Sequence, residues 1–254
     1  MALPRFFVSS DVFLNGSTEI SLTGSEVRHM IRVLRLARGA EVKLLDGRGG
    51  LATAYIVSVS GGEVRLAIDE VYGTVNDLLP LALVCAVLKG SRMDMLIQKA
   101  VEFGAAVIRP VITERTVVKL DRKARNNRLV RWREIARQAL KQCRGVFLPE
   151  IYPVSGLGEA LNLPDMKVKI VLSESETDRS LLGAWKEQGW GEPIALLVGP
   201  EGGFTHEELE TVRGAGFIGA TMGRKILRAE TAAIGAAGVV AAVTVAGKCG
   251  DSLP

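Results

Sequence analysis

Two regimes of hydrophobic patterning divide the chain. Up to residue 72 the apolar positions come in short runs bounded by glycine. Glu41–Asp46 and Leu51–Val59 flank Gly47, Gly49 and Gly50, and Glu63–Val71 follows Gly61 and Gly62. Such spacing predicts strands joined by hairpins. One stretch differs: Val27, Met30, Ile31 and Leu34 recur at helical spacing, which predicts a helix over Ser25–Leu36 with Arg28, Arg32 and Arg35 on its other face. A small β-barrel carrying one helix is the natural sum.

Gly73–Pro80 reads as a linker, and beyond it the pattern changes. Leu81–Leu88 is a continuous apolar run, as expected of a strand buried on both faces. Val107–Ile112, Val168–Ser173, Ile194–Gly199 and Phe217–Met222 are further short strand candidates. Between them fall helix candidates at Met93–Phe103, Leu129–Cys143, Thr205–Val212 and Glu230–Ala246. Thr205 and Glu208 have the T-x-x-E spacing of a capping box. Strands alternating with helices imply a mostly parallel sheet covered on both faces. The expected domains are therefore residues 1–72, a β-barrel, and residues 73–254, an α/β domain.

Charge sharpens this division. The net charge of +4 is zero over residues 1–72, +8 over 73–150 and −4 over 151–254. A basic middle suggests a polyanionic partner such as nucleic acid, or simply a solvated basic helix. Thr231–Gly247 carries no charge over 17 residues. It is short of the roughly 20 apolar residues of a membrane span and rich in alanine and glycine, so a buried helix at a subunit contact is expected rather than a membrane segment. Cys85, Cys143 and Cys249 lie far apart, and the chain has two histidines, His29 and His206. This argues against a disulfide framework and a metal centre and fits the cytoplasm. The N-terminal residues have no apolar core of a secretory leader.

Two glycine-rich strings are the strongest chemical candidates. Gly199–Phe204 reads GPEGGF, after a predicted buried strand and before the capped helix. Ligands of open α/β sheets bind at the carboxyl ends of strands, and glycines let the backbone approach a ligand closely. The string matches neither the dinucleotide fingerprint nor the P-loop, so a phosphate cradle is not the first choice, and a plain tight turn is the alternative. Met222–Thr231 reads MGRKILRAET and is either a second wall of the same pocket or an exposed basic loop. Lys89, Arg92, Lys99, Arg115 and Lys119 fall near strand ends and suit phosphate contacts, or are surface charge. His29 reads as a surface or RNA-contacting residue.

GPEGGF and MGRKILRAETAA, together with RFFV at Arg5–Val8, RHMIRVLRL at Arg28–Leu36, LLDGRG at Leu44–Gly49, KGSRMDMLIQKAVEFG and TERTVVKL, resemble the RsmE-type methyltransferases of the SPOUT superfamily. The resemblance covers nearly the whole chain. It implies an N-terminal PUA-like RNA-binding β-barrel, an α/β domain with a deep trefoil knot, and a homodimer. It also implies methylation of N3 of a uridine in small-subunit (16S) ribosomal RNA, naked or in the 30S particle, with S-adenosylmethionine as donor. A related enzyme acting on tRNA or a ribose 2′-hydroxyl is the alternative, and a non-catalytic ribosome-assembly factor another.

Carried over residue by residue, the resemblance places the cofactor on Leu172, Ser173 and Glu174, on Gly199, Pro200, Glu201, Gly202 and Gly203, and on Met222, Ile226, Leu227, Arg228, Glu230 and Thr231. Arg5 joins the basic side chains expected on RNA. Arg228 is expected to stabilise charge developing on the uracil, with Glu230 accepting the proton or orienting Arg228. One segment departs from the pattern. Where the family often shows E-Q-S/C-x-R, this chain has Lys141, Gln142, Cys143, Arg144 and Gly145.

Overall fold

A computed structural model describes residues 3–174 and 178–249, with side chains through Ala246; the side chain of Cys249 lies outside it. The chain divides into two compact units. One runs up to Asp77 and includes Leu140–Leu148; the other takes Leu78–Ala139 and the chain from Pro149 onward.

The first unit is built on a five-stranded sheet. Its strands are β1 (Arg5–Phe7), β2 (Glu19–Leu22), β3 (Glu41–Leu45), β4 (Leu51–Ser60) and β5 (Glu63–Tyr72), in the order β1-β3-β4-β5-β2. Only β1 and β3 run parallel. Gly47 and Gly49 at the β3–β4 turn take φ of 78° and 104°, a region open to glycine at little cost. The Asp46 carboxylate closes that turn by accepting from the backbone N–H of Arg48 and Gly50 at 2.7 and 2.9 Å. Register shifts at Thr53/Ala54 and Ile56/Ser58 bend the long β4–β5 pair. Phe6, Met30, Leu44, Ile56 and Leu66 meet in the core.

The helix predicted over Ser25–Leu36 is shorter and partly of another kind. After a four-residue α1 (Asp11–Leu14), helix α2 spans Ser25–Arg28 and continues as a π-turn over His29–Val33. A π-turn holds more residues than an α-turn, so the phase slips. Met30 stays buried, whereas Leu34, predicted on the inner face, is exposed. Arg35 follows with a left-handed φ of 54°.

Leu140–Leu148, placed with the α/β domain by the sequence, groups with the first unit for visible reasons. Arg5 Nη1 donates to the Gly145 carbonyl at 2.8 Å. Gly49 N–H donates to Val146 O and Leu148 N–H to Gly47 O. Lys141 pairs with Glu26 at 3.3 Å. The departure at position 141 is thus matched by an acid at position 26.

The second unit is an all-parallel sheet. Its strands are β6 (Leu79–Ala86), β7 (Ala105–Ile112), β8 (Glu150–Ile151), β9 (Ser155–Gly156), β10 (Val168–Leu172), β11 (Ile194–Val198) and β12 (Ile218–Ala220). The order is β12-β10-β11-β6-β7-β8, with β9 also on β7. Every residue of β11 is buried, as its unbroken apolar run requires. The helices are α3 (Arg92–Glu102), α4 (Arg122–Cys143), α5 (Leu157–Ala160), α6 (Leu181–Gln188), α7 (His206–Gly214) and α8 (Ala229–Cys249). By length and composition α8 could cross a membrane. Here it packs on α3, β6 and β11 and buries Ala233, Ala236, Ala237 and Val240. Its small residues allow close approach: a Cβ added at Gly238 would stand 3.2 Å from the Phe103 ring.

Candidate functional site

Strands β12, β10 and β11 are neighbours, and their register aligns their ends. Leu172 pairs with Val198 on one side and Ala220 on the other. Three loops therefore leave the sheet at one level, at the carboxyl edge where ligands of parallel sheets bind. They are Ser173–Glu174, Gly199–Phe204 and Thr221–Arg228, and they line a cavity of about 480 Å³, within the ordinary range for small-molecule sites.

Each loop is held by its own sequence. Gly203 adopts φ +68° with open space beside it, and a Cβ at Gly199 would meet the Phe204 ring at 2.9 Å. Thr205 and Glu208 form the expected capping box at the start of α7. The other Glu208 oxygen accepts from Glu114 N–H at 2.8 Å, and Arg115 Nη1 donates to Gly202 O at 3.0 Å. The glycine loop is thus braced from the turn after β7. In the third loop Thr221 Oγ1 bonds both the N–H and the carbonyl of Gly223, and Gly223 takes φ +126°.

Most residues expected at the cofactor line this cavity: Leu172, Ser173, Glu174, the run from Gly199 to Gly203, Met222, Ile226, Leu227 and Arg228. Arg228 is exposed, and its guanidinium has no ion-pair partner among the described residues. Glu230 and Thr231 are not among the residues that line the cavity. Glu230 sits in the first turn of α8 with 5% exposure, and its Oε1 lies 3.7 Å from Arg92 Nε.

The basic residues expected on RNA separate into groups. Arg28, His29, Arg32, Arg35, Lys89 and Lys119 are exposed. Arg5 is half-buried on the Gly145 carbonyl, and burial, then the neighbouring Arg144 charge, lowers its pKa. Lys99 is tied to Glu102 at 2.7 Å. Arg92 is tied to Glu201 at 2.7 Å, and Arg115 belongs to the cavity wall. Burial raises the Cys85 thiol to about 12, so this cysteine is core. No group of three or more His, Cys, Asp or Glu able to hold a metal occurs among the described residues.

Phe204, Arg224, Lys225 and Ala229, which fall in the two strings read as walls without being named one by one as cofactor contacts, also line the cavity, as do Leu209 and Ala232 outside them. All but Leu209 lie within the two glycine-rich strings or directly beside them, but only the backbone path decides which of them turn inward.

Comparison with known proteins bears on this site. A family model described as an RNA methyltransferase domain matches residues 76–241, and one described as an RNA methyltransferase PUA domain matches residues 22–69. A ribosomal RNA small subunit methyltransferase E of Synechocystis is 32% identical, over 84% of this chain and 69% of that protein. The Bacillus subtilis protein of the same name is 29% identical over 91% and 93%. Among solved structures, a ribosomal RNA small subunit methyltransferase E from Neisseria gonorrhoeae bound to S-adenosylmethionine superposes with a TM-score of 0.83 at 32% identity, covering 95% of this chain and 98% of that one. A methyltransferase from Legionella pneumophila, also with bound cofactor, gives 0.84 at 31% identity and the same coverage.

Proposed function

The chain belongs to the RNA methyltransferase family that includes the small-subunit ribosomal RNA methyltransferases E, and from that membership we propose that it methylates N3 of a uridine in small-subunit (16S) ribosomal RNA, using S-adenosylmethionine. The observation that carries this reading is the cavity itself, walled by GPEGGF and by the Met222–Arg228 loop at the carboxyl ends of three aligned parallel strands.

The residues present fit the cofactor. Val198, Phe204, Leu209, Ala229 and Ala232 supply apolar wall. Gly203 and Gly223 offer backbone with open space beside them. Glu174 offers a carboxylate to a ligand with cationic groups. Bound there, S-adenosylmethionine supplies an activated methyl group on its sulfonium.

The protein's own task is then placement and electrostatics. The uridine N3–H bond must break as the N3–methyl bond forms. Arg228, exposed in the wall and without a counterion among the described residues, stabilises the negative charge that develops on the uracil carbonyls. The proton passes to solvent, since Glu230, read from the sequence as acceptor or as orienting Arg228, is 5% exposed and faces Arg92. Exposed Arg28, Arg32 and Arg35 of the first unit grip phosphates, and the base is taken from an unpaired stretch of RNA.

A trefoil knot in the second unit, a homodimer through α8 and a cytoplasmic location complete the proposal. The knot is supported by β12 pairing with β10 while the following chain returns to lay α8 on β6 and β11. The half-buried alanines and glycines left on α8 suit a close helix contact.

The test is methyl transfer to small-subunit RNA by Arg228→Ala at saturating cofactor. Loss of an electrostatic donor predicts a kcat lower by roughly 10²–10³. Near-normal turnover would remove Arg228 from the chemistry.

A further inference from the structure

Arg92 has the look of a phosphate-binding side chain in the sequence; in the fold its side chain is 41% exposed and reaches two carboxylates. It occupies the first turn of α3. Its Nη1 donates to Glu201 Oε1 at 2.7 Å, and its Nε lies 3.7 Å from Glu230 Oε1. Glu201 belongs to the glycine loop that follows β11, and Glu230 to the turn of α8 that directly follows the loop from β12. These two strands are not neighbours, because β10 lies between them. The two loops are therefore joined by no direct strand pairing, only through β10.

Burial makes the junction consequential. The Glu230 side chain is 7% exposed, and its Oε2 makes no hydrogen bond among the described residues. A carboxylate so placed depends on its cation, since removing one partner leaves an uncompensated buried charge. The helix carrying Arg92 is itself fixed along α8, with the Phe103 ring close against Gly238. A planar guanidinium can address two carboxylates from different edges at once; a lysine ammonium is a point charge on a flexible stem.

We propose that Arg92 and Glu230 are a positioning pair: Arg92 ties the two walls of the cavity together, holds their spacing, and so sets the affinity for the cofactor. Neither residue touches the reacting atoms. The proposal rests on the reading of the cavity as the S-adenosylmethionine site.

The test compares the full-length protein with Arg92→Ala, Arg92→Lys, Glu201→Gln and the double variant Arg92→Ala/Glu201→Gln, by calorimetric titration with S-adenosylmethionine and by steady-state kinetics. Arg92→Ala should weaken binding and raise the cofactor KM by about tenfold, the scale of one partly buried charged contact, while kcat at saturating cofactor changes less than about twofold, as loss of uniform binding requires. Arg92→Lys should recover part of the loss. The double variant should bind no worse than Arg92→Ala, because both changes cut one tie. If Arg92→Ala fails to fold, Arg92→Lys carries the test, and an unchanged cofactor KM there would overturn the proposal. Unchanged cofactor affinity in Arg92→Ala, with a raised KM for RNA and a shallower salt dependence, would instead make Arg92 a phosphate contact. Absence of S-adenosylmethionine binding by the unmodified protein would overturn the cavity assignment and the tie with it; normal binding there with no effect of Arg92→Ala would overturn the tie alone.

Discussion

Replacing Gly199 by alanine should damage cofactor binding far more than folding. A Cβ built there stands 2.9 Å from Phe204 Cε2 and 3.1 Å from Cδ2, well inside ordinary carbon–carbon contact. Phe204 lines the cavity while also packing on the core, so in the free protein the strain is expected to be relieved by a turn of its ring toward the cavity. A ligand in the cavity closes that exit, so the strain falls on binding. Overpacking of this kind costs about 1–3 kcal/mol, which corresponds to S-adenosylmethionine affinity lower by roughly 5- to 150-fold. Gly203→Ala provides the contrast: φ is +68° and the space is open, so a cost of about 1–2 kcal/mol should appear in stability, beside whatever the added Cβ takes from the cofactor's approach. Gly214→Ala, at the end of α7 with nothing near its Cβ, should be neutral or stabilising by about 0.5–1 kcal/mol. Calorimetric titration beside thermal melting separates the three. Native affinity in Gly199→Ala would refute the reasoning, for it would mean that this glycine serves only the turn.

Three further outcomes are expected. Lys141→Ala should destabilise the protein by about 2 kcal/mol in denaturant titration, because it strands Glu26, whose side chain is 15% exposed; the exchange Lys141→Glu with Glu26→Lys should restore most of that loss, and failure of the exchange would deny the pairing. Cys85 should resist alkylation in the folded protein. Its folded pKa of about 12 stands above the ordinary thiol value of 9.0, so its contribution to stability is complete below pH 9 and falls as pH rises toward 12, where the unfolded chain ionises first; ready alkylation of Cys85 in native protein at pH 8 would contradict its burial. Replacing Arg28, Arg32 and Arg35 together by alanine should lower the dependence of log affinity for RNA on log salt by about 2, three phosphate contacts at the single-strand value, and an unchanged slope would remove this face from the RNA contact.

The parts of the fold legible in the sequence are those with strong local signals. β6, β11, the α7 capping box and the apolar α8 follow from continuous runs, a cap and a charge gap. The elements that went unread, such as β1 and β9, are two or three residues long and exist because of partners far along the chain; Arg5–Phe7 pairs with Lys43–Leu45. The π-turn at His29–Val33 could not be read, because helical periodicity assumes one residue count per turn. For the site, the glycine strings were legible and their convergence was not. Which strands lie side by side is a long-range property, and it alone placed Leu172, Val198 and Ala220 at one level. Arg92 shows the same limit: its charge is visible in the sequence, but Glu201 and Glu230, which hold it, lie more than a hundred residues away.

The most direct test of the central claim is a labelled-methyl assay on small ribosomal subunits from cells lacking this enzyme, followed by nucleoside identification. The account predicts label recovered as 3-methyluridine in 16S RNA, dependent on S-adenosylmethionine. Label on a ribose 2′-hydroxyl or in transfer RNA, or no transfer at all despite bound cofactor, would contradict it.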